Sequence, residues 1–326
     1  MNKLLHTALV LSVSVSGLLA VESTSTSATI TKHSTVNYTM KGNVEDTYNE
    51  MMDKPIKALG YRIPDPRKGV NGVYKKQYGS TTLELLSFMT IVNDKGVKPL
   101  LEIDPRLAGF NPFNLVMYKH QNKDESVVSH LTASAILEML QITDEKVIAE
   151  YTKLMDELDG LVSKTFPKAT INHHTYTGEI KDPMMHFEIV FDRPEDLDDY
   201  IDEIQEKVED TFTKKGYIMA GFFDYKMGKP DLLPSYDAFW TFSLCHFPYS
   251  YAIFDNEGAM PEASVFAPCT MYMYIKKDSN TLVIGMPRLA NWNTLFPMKD
   301  KKRLEFLEKL DADIPATFIE IGAKRL

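Results

Sequence analysis

The chain has 326 residues, 44% of them hydrophobic and 25% charged, which is ordinary globular composition and not that of a disordered chain. A formal net charge of −9 argues against nucleic acid or an anionic membrane surface as a main partner, because both are held through an excess of Lys and Arg.

The first residues read as an export signal. A short basic start carrying Lys3 is followed by a mostly apolar run from Ala8 to Leu19, then by small and hydroxylated residues from Ser23 to Ser27. That run is shorter than the roughly twenty residues that span a bilayer, and no later segment is long and apolar enough to do so. Residues 1–28 are therefore assigned to the signal and its low-complexity continuation, and the mature protein is expected in the periplasm or secreted.

The next elements follow from periodicity. An alternating strand from Thr35 to Met40 leads to a helix capped by Asn43 and carrying Tyr48, Met52 and Ile56, with Pro55 bending it. Strands are expected at Gly72 to Tyr78 and Leu83 to Thr90, then a short helix, and strands at Phe113 to Lys119 and Ser126 to Ser129. Thr143 then caps a helix with Val147, Ile148, Tyr151, Leu154, Met155, Leu158, Leu161 and Val162 on one stripe. Residues 165–183, with two prolines, Gly178 and His173-His174, show no sustained period and read as a linker.

The same order then repeats. His186 to Phe191 is a strand, and Asp192 and Pro194 open a helix with Leu197, Tyr200, Ile201, Ile204, Val208 and Phe212 at helical spacing. Strands follow at Ile218 to Tyr225 and Phe239 to Phe247, then a short helix, strands at Cys269 to Lys276 and Thr281 to Gly285, and a closing helix. Gly60-Tyr61 recurs as Gly216-Tyr217, 156 positions on, and the same shift carries Ser87 to Ser243, Pro105 to Pro261, Phe110 to Phe266, Pro112 to Pro268 and Met117-Tyr118 to Met273-Tyr274. The expected fold is α+β: two repeats of β-α-β-β-α-β-β-α, over residues 29–164 and 184–326. Each is an antiparallel-rich sheet covered by helices, and the two pack as an intramolecular pseudo-dimer.

Only two cysteines occur, Cys245 and Cys269, and an even count in an exported chain suggests a disulfide. In the common register they replace Met89 and Phe113, so repeat one fills both places with hydrophobes. Cys245, His246, Cys269 and Met271 also cluster in sequence, and thiolate, imidazole and thioether donors suit a soft metal such as Cu(I). There is no Cys-x-x-Cys, no Gly-rich phosphate loop and no His-Glu-x-x-His. The acidic run from Glu195 to Asp210 reads as the solvated face of a helix.

Cys245-His246-Phe247-Pro248, Met260-Pro261 and Ala267-Pro268-Cys269-Thr270 resemble the core of the domain of unknown function 302 family. In the first half, Leu101-Glu102-Ile103-Asp104-Pro105-Arg106 and Asn111-Pro112-Phe113-Asn114-Leu115-Val116 match the same template. The resemblance implies a tandem pair of such domains. It also implies structural roles for Pro105, Pro112, Pro261 and Pro268 and proximity of the two cysteines at neighbouring strand ends. It carries no activity.

These features converge on a non-enzymatic small-ligand-binding or scaffolding protein with no cofactor. The alternatives are a thiol-dependent redox or Cu(I)-handling protein acting through Cys245 and Cys269, and an enzyme with a cleft between the repeats. N-terminal sequencing of the exported protein is expected to give a first residue between Leu18 and Thr31; an intact Met1 on cytoplasmic protein would overturn the export assignment.

Overall fold

The computed structural model describes residues 31–227 and 230–326. The expected signal lies outside the described residues. The first half runs β1 (Lys32–Lys41), α1 (Glu45–Asp53), α2 (Pro55–Ala58), β2 (Tyr61–Arg67), α3 (Val70–Tyr78) and β3 (Leu83–Asn93). It continues with α4 (Asp94–Leu101), a 3-10 turn (Pro105–Phe110), β4 (Phe113–His120), β5 (Glu125–Leu131), α5 (Ala133–Met139), α6 (Glu145–Thr165) and β6 (Thr170–Tyr176). The second half runs β7 (Met184–Val190), α7 (Leu197–Lys214), β8 (Ile218–Asp224), β9 (Tyr236–Cys245), α8 (Phe247–Phe254) and a 3-10 turn (Pro261–Phe266). It closes with β10 (Cys269–Lys276), β11 (Thr281–Pro287), α9 (Trp292–Leu295), α10 (Lys301–Ile321) and β12 (Lys324–Arg325).

Two six-stranded antiparallel sheets result, ordered β2-β3-β4-β5-β1-β6 and β8-β9-β10-β11-β7-β12. Position for position the two orders coincide, as two repeated domains require. Pro112 and Pro268 both follow cis peptide bonds immediately before β4 and β10.

Pairing registers refine the internal correspondence. β2 and β8 correspond at 156 residues, as do β4 with β10 and β5 with β11, but β3 and β9 correspond at 153. Met117 faces Ser87 while Met273 faces Trp240, and Arg62 faces Val92 while Ile218 faces Cys245. The helix caps confirm the shorter shift: Asn93 accepts from the Gly96 amide and His246 from the Tyr249 amide, each capping the helix that follows its strand. The first half thus carries three extra residues between its second and third strands, where α3 stands.

Several local expectations are corrected. Gly72 to Tyr78 belongs to a helix, because Gly69 and Gly79 take left-handed conformations at its two ends and Val70 and Tyr74, four residues apart, share its buried face. The stretch read as linker contains β6, which pairs with β1 along the sheet edge. Asp144, one residue beyond Thr143, caps α6, and Asp196 caps α7 in place of Asp192.

The strands at the sheet centres do not alternate, since both their faces are buried; β4 is buried from Phe113 through Lys119. One face of each sheet lies under its own long helices. The Tyr48 hydroxyl of α1 donates to the Leu115 carbonyl at 2.6 Å, the Tyr38 hydroxyl to Asp159 of α6 at 2.5 Å, and Phe187 packs on Phe318 of α10. The other face is closed by the opposite half. The 3-10 turn at Pro105–Phe110 packs on β10 and the turn at Pro261–Phe266 packs on β4, a reciprocal exchange. Asn114 donates to the Ser264 carbonyl at 2.9 Å, Tyr236 to the Leu101 carbonyl at 3.0 Å, and Phe88 meets Phe254 edge-on.

Asp255, fully buried at the end of α8, is the densest polar tie between the halves. Its carboxylate accepts from the Thr81 hydroxyl at 2.6 Å, the Thr82 amide at 2.7 Å, the Thr82 hydroxyl at 3.0 Å and the Leu83 amide at 3.2 Å. Asp255→Ala strands these donors away from water. It is expected to lower the free energy of urea unfolding by about 3 kcal/mol, given roughly 1–3 kcal/mol for a buried group left unpaired.

Candidate functional site

The edge strands β2 and β8 meet where the two halves join. Arg67 near the end of β2 donates to the Ala220 carbonyl at 2.8 Å, and the guanidinium of Arg62 lies over the Phe223 ring at 4.8 Å. Beside this seam opens a cavity of about 330 Å³. Its first-half walls are Val70, Val73 and Tyr74 of α3 and Phe88 of β3; its second-half walls are Ile218, Cys245, Phe247 and Pro268. Lys68, Arg67 and Asp65 stand at the polar side, where Arg67 donates to Asp65 at 3.0 Å and the Thr90 hydroxyl donates to the Asp65 carbonyl at 2.8 Å. Val73 and Ile218 are about half exposed, 50% and 48%, so the mouth presents apolar surface to solvent.

A cavity floored by aliphatic and aromatic groups, with a few oriented polar groups and a position at a domain junction, has the form of a small-molecule site. Its polar groups do not include a thiolate. Burial pushes the Cys245 thiol up to about 11, against a lowering by the Ser250 hydroxyl 3.9 Å away and by Arg67, so at neutral pH the sulfur is protonated and a poor nucleophile. Cys269 is shifted upward as well, again chiefly by burial.

The two cysteines were expected to approach each other, and a disulfide was among the readings. The structure holds them as free thiols, at no disulfide-forming separation. The cause is register. Cys269 faces Leu244 across the β9–β10 ladder, and successive residues of a strand point to opposite faces, so Cys245 projects toward the cavity while Cys269 shares the face of Leu244. The residue of the first half that corresponds to Cys245 is Val92, which faces Arg62 as Cys245 faces Ile218; Met89, its expected counterpart, lies three positions away. Phe113 does correspond to Cys269.

The four soft-metal candidates do not converge either. Met271 is fully buried opposite Phe242, on the face of Cys269 and away from Cys245. His246 caps α8 through its side chain, and its ring meets Tyr217 and Phe306 edge-on; burial lowers its pKa, keeping the imidazole neutral. Among the described residues, no group of three or more His, Cys, Asp or Glu side chains gathers as a metal would need. His173 and His174 sit on β6, where a ring nitrogen of His173 is 3.0 Å from the Thr35 carbonyl and His174 stacks on Phe296 at 4.3 Å. Pro105 and Pro261 open the two reciprocal turns, Pro112 precedes β4, and Pro268 both precedes β10 and lines the cavity.

Of the cavity residues, sequence reasoning singled out only Cys245 and Pro268. Val73 and Tyr74 lie in the stretch whose helix was read as a strand, and Asp65, Arg67, Lys68 and Val70 lie just before it, at the end of β2 and the start of α3. The signal was present: Val70, Val73, Tyr74 and Tyr78 recur at helical spacing between Gly69 and Gly79.

Ellman titration of unfolded protein without reductant is expected to count two thiols. Alkylation of Cys245 in the folded protein should be slow at pH 7 and rise about tenfold per pH unit toward its pKa of about 11, since only the thiolate reacts. A rate already at its plateau near pH 8 would show an ionised thiol and reverse this assignment.

No family model and no curated protein matches the sequence. The structure is similar to the crystal structure of the uncharacterized conserved protein DUF302 from Bacillus stearothermophilus, at 16% sequence identity, over 40% of this chain and 94% of that one, with a TM-score of 0.31.

Proposed function

We propose that this is an exported, non-enzymatic protein that binds a small organic ligand between two domains of the 302 type. The observation that carries the reading is the cavity itself: about 330 Å³, walled by both halves, apolar inside and flanked by Arg67, Lys68 and Asp65. Such a volume falls in the usual range for small-molecule pockets. The tandem-domain reading draws on the Pro112 and Pro268 motifs and on the matching strand order of the two sheets. Export draws on the composition of the first residues.

The thiol-redox and Cu(I) readings draw less from this geometry. Cys245 is protonated at neutral pH and projects from the sheet face opposite to Cys269, so a two-sulfur site requires rearrangement of β9 or β10. An enzymatic reading needs a nucleophile or an acid-base pair in the cavity, and Asp65 is instead engaged by Arg67.

Native mass spectrometry of protein isolated from its own host tests the proposal. The expected result is a bound small molecule, retained in Cys245→Ser and lost in Val73→Trp and Ile218→Trp, two substitutions at half-exposed mouth positions that fill the entrance without disturbing the core. Wild-type protein with no bound mass, and no ligand retained from a host extract, would favour the scaffolding role instead.

A further inference from the structure

The second half contains its own model of what the cavity holds. On the opposite side of the seam, Tyr225 is fully buried, its ring packed against Phe223 at 4.9 Å and Phe239 at 5.3 Å, and its hydroxyl donates to the carbonyl of Asn111. At the 156-residue shift that relates β2 to β8, the position of Tyr225 corresponds to Gly69. A Cβ placed on Gly69 would meet nothing within 4 Å. The residues around the tyrosine have counterparts in the cavity wall. Asn111 answers to Ala267, directly before the matching cis-proline, and Phe223 to Arg67; Asp94, whose charge acts on Tyr225, answers at the 153-residue shift to Phe247. By this correspondence the open space at Gly69, between the lining residues Lys68 and Val70, answers to the space that Tyr225 fills in the other half.

We infer that the cavity takes a phenol: a single aromatic ring whose hydroxyl donates to the carbonyl of Ala267 as Tyr225 donates to that of Asn111, between Phe88, Tyr74, Phe247 and Pro268. This rests on the ligand-binding reading above and names its ligand class. The ring contributes apolar burial and aromatic contacts, and the hydroxyl contributes orientation. The cavity is larger than one ring, so a substituent para to the hydroxyl extends toward Arg67 and Lys68 at the mouth. Toluene, which has the ring without the donor, leaves the Ala267 carbonyl unpaired, and sites built to pair a hydroxyl discriminate strongly against analogues lacking it.

Calorimetric titration of the mature chain with p-cresol and with toluene decides the matter. The expected result is saturable one-to-one binding of p-cresol, at least about tenfold tighter than toluene, and abolished in Val73→Trp and Ile218→Trp variants whose unfolding midpoints match wild type. Equal affinity for the two probes would sink the phenol assignment and leave the ligand-binding reading standing. So would p-cresol binding that survives both mouth variants, or no binding of either probe to a protein that carries a different small molecule from its host. If neither probe binds and no small molecule is found on the isolated protein, both readings fall together.

Discussion

Each sheet of this protein has two apolar faces and only one set of helices to cover them. That imbalance governs the rest of the structure. α1 and α6 close one face of the first sheet, and α7 and α10 close one face of the second, but the strands at the centre of each sheet are buried on both sides. A sheet exposing such a face to water would forfeit roughly 25 cal/mol for every Å² of apolar surface left uncovered. The halves resolve this by exchange: each sends its proline-initiated 3-10 turn onto the central strand of the other. Buried polar groups then fix the alignment, because the Asp255 carboxylate, the Asn114 side-chain amide and the Tyr236 hydroxyl each reach a partner in the opposite half. Neither half is therefore expected to be a finished folding unit without its companion.

Two related halves meeting in this way need not meet symmetrically, and the departures are informative. Where one side of the seam is sealed by Tyr225, the other has Gly69 and a cavity. Where one side has the pairing of Arg62 with the Phe223 ring, the other has Arg67 turned onto Asp65 and the Ala220 carbonyl. The second half keeps its aromatic side chains for packing, while the first leaves the corresponding space empty and lines its rim with charge.

Much of the architecture was legible in the sequence, since most of the strand and helix order, the matching layout of the two sheets and the turn prolines are written in local pattern. The failures have physical causes. β6 reads Thr-Ile-Asn-His-His-Thr-Tyr and is mostly exposed, so it lacks the apolar alternation by which a half-buried strand announces itself; its place is set by the free edge of β1. α3 is short, and its buried face answers to the other half, so its helical spacing was easily taken for a strand in a region where a strand was due. The single ungapped shift concealed a three-residue insertion and thereby gave Met89 as the counterpart of Cys245 where the pairing register gives Val92. The cavity was not legible at all, because its walls come from segments about 150 residues apart in the chain.

The strand β6 also changes how the molecule can move. Because it pairs along most of β1, the covalent connection between the halves shrinks to residues 177–183, a reach of about 25 Å even when fully extended. That short tether is itself pinned, with the Lys181 amide and carbonyl both bonded to the Asn291 side chain. Clamshell opening, the usual means by which two-lobed binding proteins admit and release cargo, would have to break the exchanged turns and the Asp255 cluster together. Under the proposed ligand-binding role, entry to the cavity would rest on side-chain motion at Val73 and Ile218, on the nanosecond-to-microsecond scale of loop and rotamer motion and not the slower scale of domain rotation. Under that role, loading and discharge would follow the concentration of free ligand closely, as in a buffer rather than a latch.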